Sequence, residues 1–207
     1  MNIATIPSLA NAPLQARLQH LLDNKTKPLG ALGLIENLGL RIGLILGSEA
    51  PELQSPQILV YAADHGLAAH SVSTYPSDVT WQMVENFLSG GAAISVLARQ
   101  HGLALQVVDC GVKHDFAPRA QLLNYKIAHG SADSLHDPAM SAAQCQQALT
   151  NGAAIVQSLP GNALLLGEMG IGNTSAASLL MARLCGLSIT DCTGAGTGLK
   201  PDAIGRK

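Results

Sequence analysis

The sequence predicts an α/β fold: a three-layer, Rossmann-like parallel sheet flanked by helices, with a small helical part at the N-terminus. Three observations predict it. Short apolar runs at 57–63, 105–109 and 163–166 have strand length, and each ends in a turn carrying glycine or an acid. Longer segments with apolar residues at helical spacing alternate with them. Continuous apolar runs mark strands buried on both faces, and strand–helix alternation is the pattern of a parallel sheet. The composition suits such a core, with 47% hydrophobic residues, only 3% aromatic, and 21 glycines in 207 residues.

The bulk numbers exclude several function classes. Net charge is −2, which gives no electrostatic case for nucleic acid or an anionic membrane as partner. No apolar run approaches the roughly 20 residues of a membrane span. The N-terminus lacks the basic and apolar regions of a signal peptide. Cys110, Cys145, Cys185 and Cys192 form no CxxC pair, so reduced thiols in a cytoplasmic protein are expected. Charged residues are 13%, against an ordinary level of about 25%. A buried subunit interface would account for that.

Taken in order, residues 1–20 read as a polar helix leading into Leu21-Leu22. Lys27-Pro28 followed by Gly30 and Gly33 reads as a turn, and 34–46 as a helix. Residues 1–50 are thus a helical segment, contributing to a small subdomain, and 51–207 an α/β nucleotide-binding domain. The strand 57–63 ends in Asp64-His65-Gly66, where an open α/β sheet places ligands. Asp64 can equally cap backbone amides there. An Asp-His pair raises metal binding, but no further ligand stands at a recognisable spacing, and no metal is expected.

Ser77 or Asp78 is a candidate cap for a helix 79–88, in which Trp81, Met83 and Phe87 supply bulk. A glycine pair at 90–91 precedes a helix 94–100, and 105–109 is the next strand. Residues 112–140 read as loop; His114, His129 and His136 are irregularly spaced there and read as surface residues. Ser141 is a candidate cap for a helix 141–156. The strand 163–166 runs into Gly167-Glu168-Met169-Gly170-Ile171-Gly172-Asn173-Thr174, a turn into a helix 175–185 that Gly186 stops. Asn173 or Thr174 is the candidate cap. The chain closes with a second glycine-rich loop at 194–198.

The stretch 167–174 carries the chemistry. A strand-to-helix turn with three glycines can bring bare N–H groups to an anion at a helix N-terminus, or can be an ordinary tight turn. Glu168 separates the two readings. A carboxylate does not help to hold phosphate, but it can orient a hydroxyl or accept a proton. The spacings of a Walker loop, of G-x-G-x-x-G and of a G-x-S-x-G elbow are all absent. What remains is a small-molecule site for a phosphorylated ligand.

Several segments in the same order resemble the nicotinate-nucleotide–dimethylbenzimidazole phosphoribosyltransferase family of cobalamin nucleotide-loop assembly. Lys25 to Gly33 looks like its T-K-P-x-G-S-L-G segment, with Ala31 for Ser. Ala63-Asp64-His65-Gly66, Tyr75-Pro76, Val79-Thr80, Asn86-Phe87 and Gly90 to Ile94 match a long block. Gly167 to Thr174 is close to G-E-[ML]-G-[IM]-[GA]-N-T, and Gly194 to Leu199 is similar to G-x-G-T-G-L. The resemblance implies transfer of phosphoribosyl from nicotinate mononucleotide to 5,6-dimethylbenzimidazole. The products would be α-ribazole 5′-phosphate and nicotinate, with inversion at the anomeric carbon and no cofactor or essential metal. It implies a homodimer. It places Gly170, Ile171, Gly172, Asn173, Thr174, Gly194, Gly196 and Lys207 at the phosphoribosyl group. Glu168 falls beside the ribose and azole, and Tyr75, Met83 and Met169 at the benzimidazole pocket. Family members continue past Lys207 into a G-E-G-S-G-type segment that holds the glutamate regarded as the general base. The expectation is therefore a C-terminally incomplete chain. A binding module without turnover is the alternative, and a metal-dependent hydrolase using Asp64 and His65 a third reading.

Overall fold

The computed structural model describes residues 5–196 and 198. It divides into two compact units, Met1–Gln54 and Ser55–Lys207.

The first unit is a pair of helices, α1 (Ala12–Asp23) and α2 (Leu34–Leu46). Helix α1 starts later than its polar pattern suggests. The Asn11 side chain accepts the Leu14 N–H at 3.1 Å and Pro13 lies in the first turn, a combination that fixes a helix start. Leu14 and Leu18 are its buried residues. Gly43 of α2 receives Leu18: a Cβ there would lie 2.7 Å from both Leu18 methyl groups. The turn between the helices is held by Glu36. Its carboxylate accepts the Leu32 N–H at 3.0 Å and pairs with Lys27 Nζ at 2.8 Å.

The second unit is built on four parallel strands, β1 (Gln57–Ala63), β2 (Ala104–Gly111), β3 (Leu122–Asn124) and β4 (Leu164–Met169), in the order β3-β2-β1-β4. Helices α3 (Val79–Leu88) and α4 (Ala93–Gln100) cross from β1 to β2. Helix α5 (Ala142–Ser158) returns the chain from β3 to β4, on the other side of β1. Helices α6 (Asn173–Cys185) and α7 (Ile189–Cys192) follow β4. Alternate residues of β1 serve the two faces. Ile58, Val60 and Ala62 pack with Val107, with Val84 and Phe87 of α3 and with Ala98 of α4. Leu59 packs with Val108 and with Ile155 of α5. The three-layer arrangement is thus the one the apolar runs predict, and β1 is buried on both faces, but β4 stands at the end of the strand order, where Leu165 and Leu166 are exposed rather than buried.

The differences from the sequence reading have local causes. β3, with three residues, is too short to stand out within 112–140, and it forms because it pairs with Val107–Asp109 of β2. β4 continues through Glu168 and Met169, since Tyr61 and Ala62 of β1 lie opposite them in register. Helix α6 accordingly begins two residues early, with Gly172 at its cap position rather than Asn173 or Thr174. Asp78 makes no capping hydrogen bond; Ser77 instead donates its hydroxyl to Asp64. Ser141 caps α5 as expected, in a reciprocal box with Gln144. The four-residue α7 is too short to carry a pattern of its own.

Two outcomes follow. Leu59→Ala, at a fully buried position, lowers unfolding free energy by about 2–5 kcal/mol in urea titration. In the first unit, the Lys27 ammonium and then the Leu32 N–H hold the Glu36 carboxyl below its ordinary value of 4.5. A carboxyl lowered on folding stabilises above its unfolded pKa, and that contribution is lost as pH falls through the folded value. Glu36→Gln therefore lowers the thermal midpoint at neutral pH, and the gap closes as pH falls below 4.5. A gap independent of pH would contradict the pairing.

Candidate active site

All four strands are parallel, so their carboxyl ends share one edge. The chain leaves β1 towards β2 and β3 and then comes back to β4. The carboxyl ends of β1 and β4 therefore flank the point where strand order reverses, the crevice in which open α/β sheets hold ligands. Asp64-His65 emerges from β1 there and Gly170-Ile171-Gly172 from β4.

Asp64 is a clamp. It is 3% exposed, accepts the Ser77 hydroxyl at 2.7 Å on one oxygen, and accepts the Lys113 N–H at 2.8 Å on the other. Its main chain accepts the Ser131 N–H and donates to the Gly111 carbonyl, each at 3.0 Å. One buried carboxylate thus ties the ends of β1 and β2 to the loop before α3. Both oxygens are thus engaged in fixing local geometry, and the bond to the Lys113 N–H is the amide-capping role that the sequence offered for Asp64.

His65 faces β4. A Cβ on Gly170 would lie 2.2 Å from the Ala63 carbonyl oxygen and 2.9 Å from the His65 ring. Only glycine lets the turn come this close. Gly172 has φ +94°, a left-handed conformation that L side chains rarely adopt, and it turns the chain into α6. Between them the Ile171 N–H donates to the Thr80 hydroxyl at 3.1 Å, a buried bond from the turn after β4 to α3.

Glu168 is held from two sides. His65 Nε2 lies 3.6 Å from one carboxylate oxygen, and the Asn173 side-chain amide donates to the other. Its side chain is nonetheless 48% exposed, so a bound molecule can reach the carboxylate. His65 Nε2 is buried without a hydrogen-bond partner among the described residues, and so is the Ser175 hydroxyl in the first turn of α6. Two orphaned polar groups, a helix N-terminus and an accessible carboxylate thus share one edge. That set can receive a ligand with an anionic end and a hydroxyl or N–H.

The other predicted residues sit as follows. Met83 and Met169 are half-buried against the same apolar cluster on the α3–α4 side of the sheet. Tyr75 is 53% exposed, in the loop before α3. Gly194 and Gly196 follow α7, which is tied to α6 by the Ser178 hydroxyl donating to the Cys192 carbonyl at 2.8 Å. Lys207 lies outside the described residues. All four cysteines are free, and burial pushes the Cys110 thiol up to about 11, which keeps it protonated and unreactive.

A family model described as "Phosphoribosyltransferase" matches residues 8–207. The chain belongs to this family. It is 66% identical over 206 residues to the nicotinate-nucleotide–dimethylbenzimidazole phosphoribosyltransferase of Variovorax paradoxus, covering 98% of this chain and 59% of that protein. The enzyme of the same name from Dechloromonas aromatica is 54% identical over 203 residues, covering 97% and 58%. Among solved structures, CobT from Thermus thermophilus superposes with TM-score 0.83 at 39% identity, covering 94% of this chain and 59% of that one. The chain therefore spans about three fifths of the length of the curated relatives it matches.

The sequence reading missed Thr80 as the partner of the Ile171 N–H, and His65 as the neighbour of Glu168. No local pattern marks either, and only the pairing register of the folded sheet reveals them. Once Ala62 is set opposite Met169, His65 and the 170–172 turn must meet. The close approach gives a contrast. Gly170→Ala forces its neighbours to move and lowers the urea midpoint. Gly152→Ala, in open space on α5, raises stability by about 0.5–1 kcal/mol. Equal effects at the two positions would contradict the packing of the turn.

Proposed function

We propose that this chain carries the phosphoribosyl-binding part of an enzyme that transfers phosphoribosyl from nicotinate mononucleotide to 5,6-dimethylbenzimidazole. The product is α-ribazole 5′-phosphate, an intermediate of cobalamin biosynthesis, and nicotinate leaves. The observation that carries the reading is Glu168, an accessible carboxylate fixed by His65 and Asn173 beside a glycine turn at the sheet's switch point. The relatives' names supply the reaction.

The chemistry places few demands on the protein. The benzimidazole nitrogen attacks the anomeric carbon from the face opposite the leaving group. The glycosidic C–N bond breaks, and its electron pair neutralises the positive pyridinium nitrogen of the nicotinate. The azole N–H proton must go to a base. In our reading the turn formed by Gly170, Ile171, Gly172, Asn173 and Thr174 holds the phosphate end, with Gly194, Gly196 and Lys207 contributing. The α6 N-terminus favours the anion, and the orphaned Ser175 hydroxyl is a further donor. Glu168 takes the hydrogen bond from the ribose or azole and so serves the proton-accepting side. Met83 and Met169, already on the apolar side of the sheet, line the slot for the flat bicyclic base, with Tyr75 at its mouth. We further propose a homodimer in the cytoplasm, using no nucleic acid and no membrane. The low charge content is consistent with a buried subunit interface, and no helix among the described residues is long and apolar enough to cross a membrane.

The test is to mix the protein with both substrates and follow nicotinate. Release in step with α-ribazole 5′-phosphate supports the reading. Binding without release would leave a non-catalytic module, and no binding of either substrate would refute both. In an active preparation, Glu168→Gln lowers kcat by about 100-fold or more while the nucleotide Kd changes less than about 2-fold. Equal losses in both would make Glu168 a structural residue.

A further inference from the structure

We propose that His70, Asp133 and His136 form a binding site for one divalent transition-metal ion of the zinc class, separate from the site described above. The three ligand atoms lie within 4.8 Å of one another. His70 Nε2 is 2.5 Å and His136 Nε2 3.8 Å from the same Asp133 oxygen. The two imidazole rings meet edge to face, with centroids 5.8 Å apart. A tetrahedral ion with bonds of about 2.0–2.2 Å needs donors about 3.3 Å apart, so small side-chain rotations convert this triangle into a coordination face. Two imidazoles and one carboxylate suit Zn²⁺, Co²⁺ or Ni²⁺ and are a poor match for Mg²⁺, which takes oxygen donors.

The backbone prepares the arrangement. The second Asp133 oxygen accepts the Leu135 N–H at 3.1 Å, which orients the carboxylate. The Asp133 carbonyl accepts the N–H groups of His136 at 3.1 Å and Asp137 at 3.0 Å, and this turn carries His136 back over Asp133. His70 ends the 3-10 turn Gly66–His70, which is pressed against the same loop. A Cβ on Gly66 would lie 2.5 Å from Asp133 N, and the Gly66 N–H donates to the Ser131 hydroxyl at 3.2 Å. The side chains are accessible to an incoming ion, His136 being 67%, His70 37% and Asp133 27% exposed. The ion would staple the 131–139 loop to the turn that leaves His65. The sequence reading named no metal because His70 and Asp133 stand 63 positions apart and meet only in the fold.

The test is calorimetric titration of the metal-free chain, without a histidine tag, by Zn²⁺ and by Mg²⁺. Zn²⁺ binds one per chain and raises the thermal midpoint, and Mg²⁺ does neither. His70→Ala and His136→Ala each weaken Zn²⁺ binding by about 10-fold or more, as loss of a direct ligand requires, while keeping the wild-type circular dichroism. His136→Asn serves as the milder variant at the exposed position and loses affinity likewise. Absence of saturable Zn²⁺ binding overturns the proposal. So does Zn²⁺ binding of unchanged affinity in the doubly substituted chain, which would assign the ion to the thiols.

Discussion

At the carboxyl ends of β1 and β4 the main chain of Gly170 lies so close to the Ala63 carbonyl that a methyl group would have no place. The rest of the site depends on that contact. It brings the turn after β4 over His65, and this sets Glu168 within reach of the imidazole. It also starts α6 at the same edge, so that the positive end of the helix and the carboxylate share one crevice. A larger residue at 170 would separate these groups even with every functional side chain still present.

The crevice has two kinds of carboxylate, and burial tells them apart. Asp64 is buried with both oxygens hydrogen-bonded, and it holds three segments of chain together. Glu168 is half exposed and only flanked, so it retains capacity for a ligand. A buried carboxylate bonded through both oxygens fixes geometry, whereas an accessible one can exchange a proton or a hydrogen bond with substrate. His65 Nε2 and the Ser175 hydroxyl are a third case, buried yet without a hydrogen-bond partner among the described residues.

The sheet was readable from the sequence because its strands are continuous apolar runs, and the limits of β1, α2 and α3 agree with the pattern. Pairing was not readable. The three residues of β3 carry no pattern of their own, and β4 is extended across Gly167-Glu168 only because β1 lies alongside. The glycine turn and Glu168 announced themselves by composition. Thr80 and His65 did not, because their importance is a distance across the fold. The same limit applies to His70, Asp133 and His136, whose meeting no local spacing encodes.

The central claim is that the β1–β4 crevice binds a phosphoribosyl group with Glu168 at its reacting end. A crystal structure of the protein with nicotinate mononucleotide tests it most directly. The phosphate is expected at the N-terminal turn of α6, within hydrogen-bond distance of backbone N–H groups of residues 170–174, and Glu168 facing the ribose. A nucleotide bound at another edge of the sheet, or in the crevice with its phosphate turned away from that turn, would contradict it.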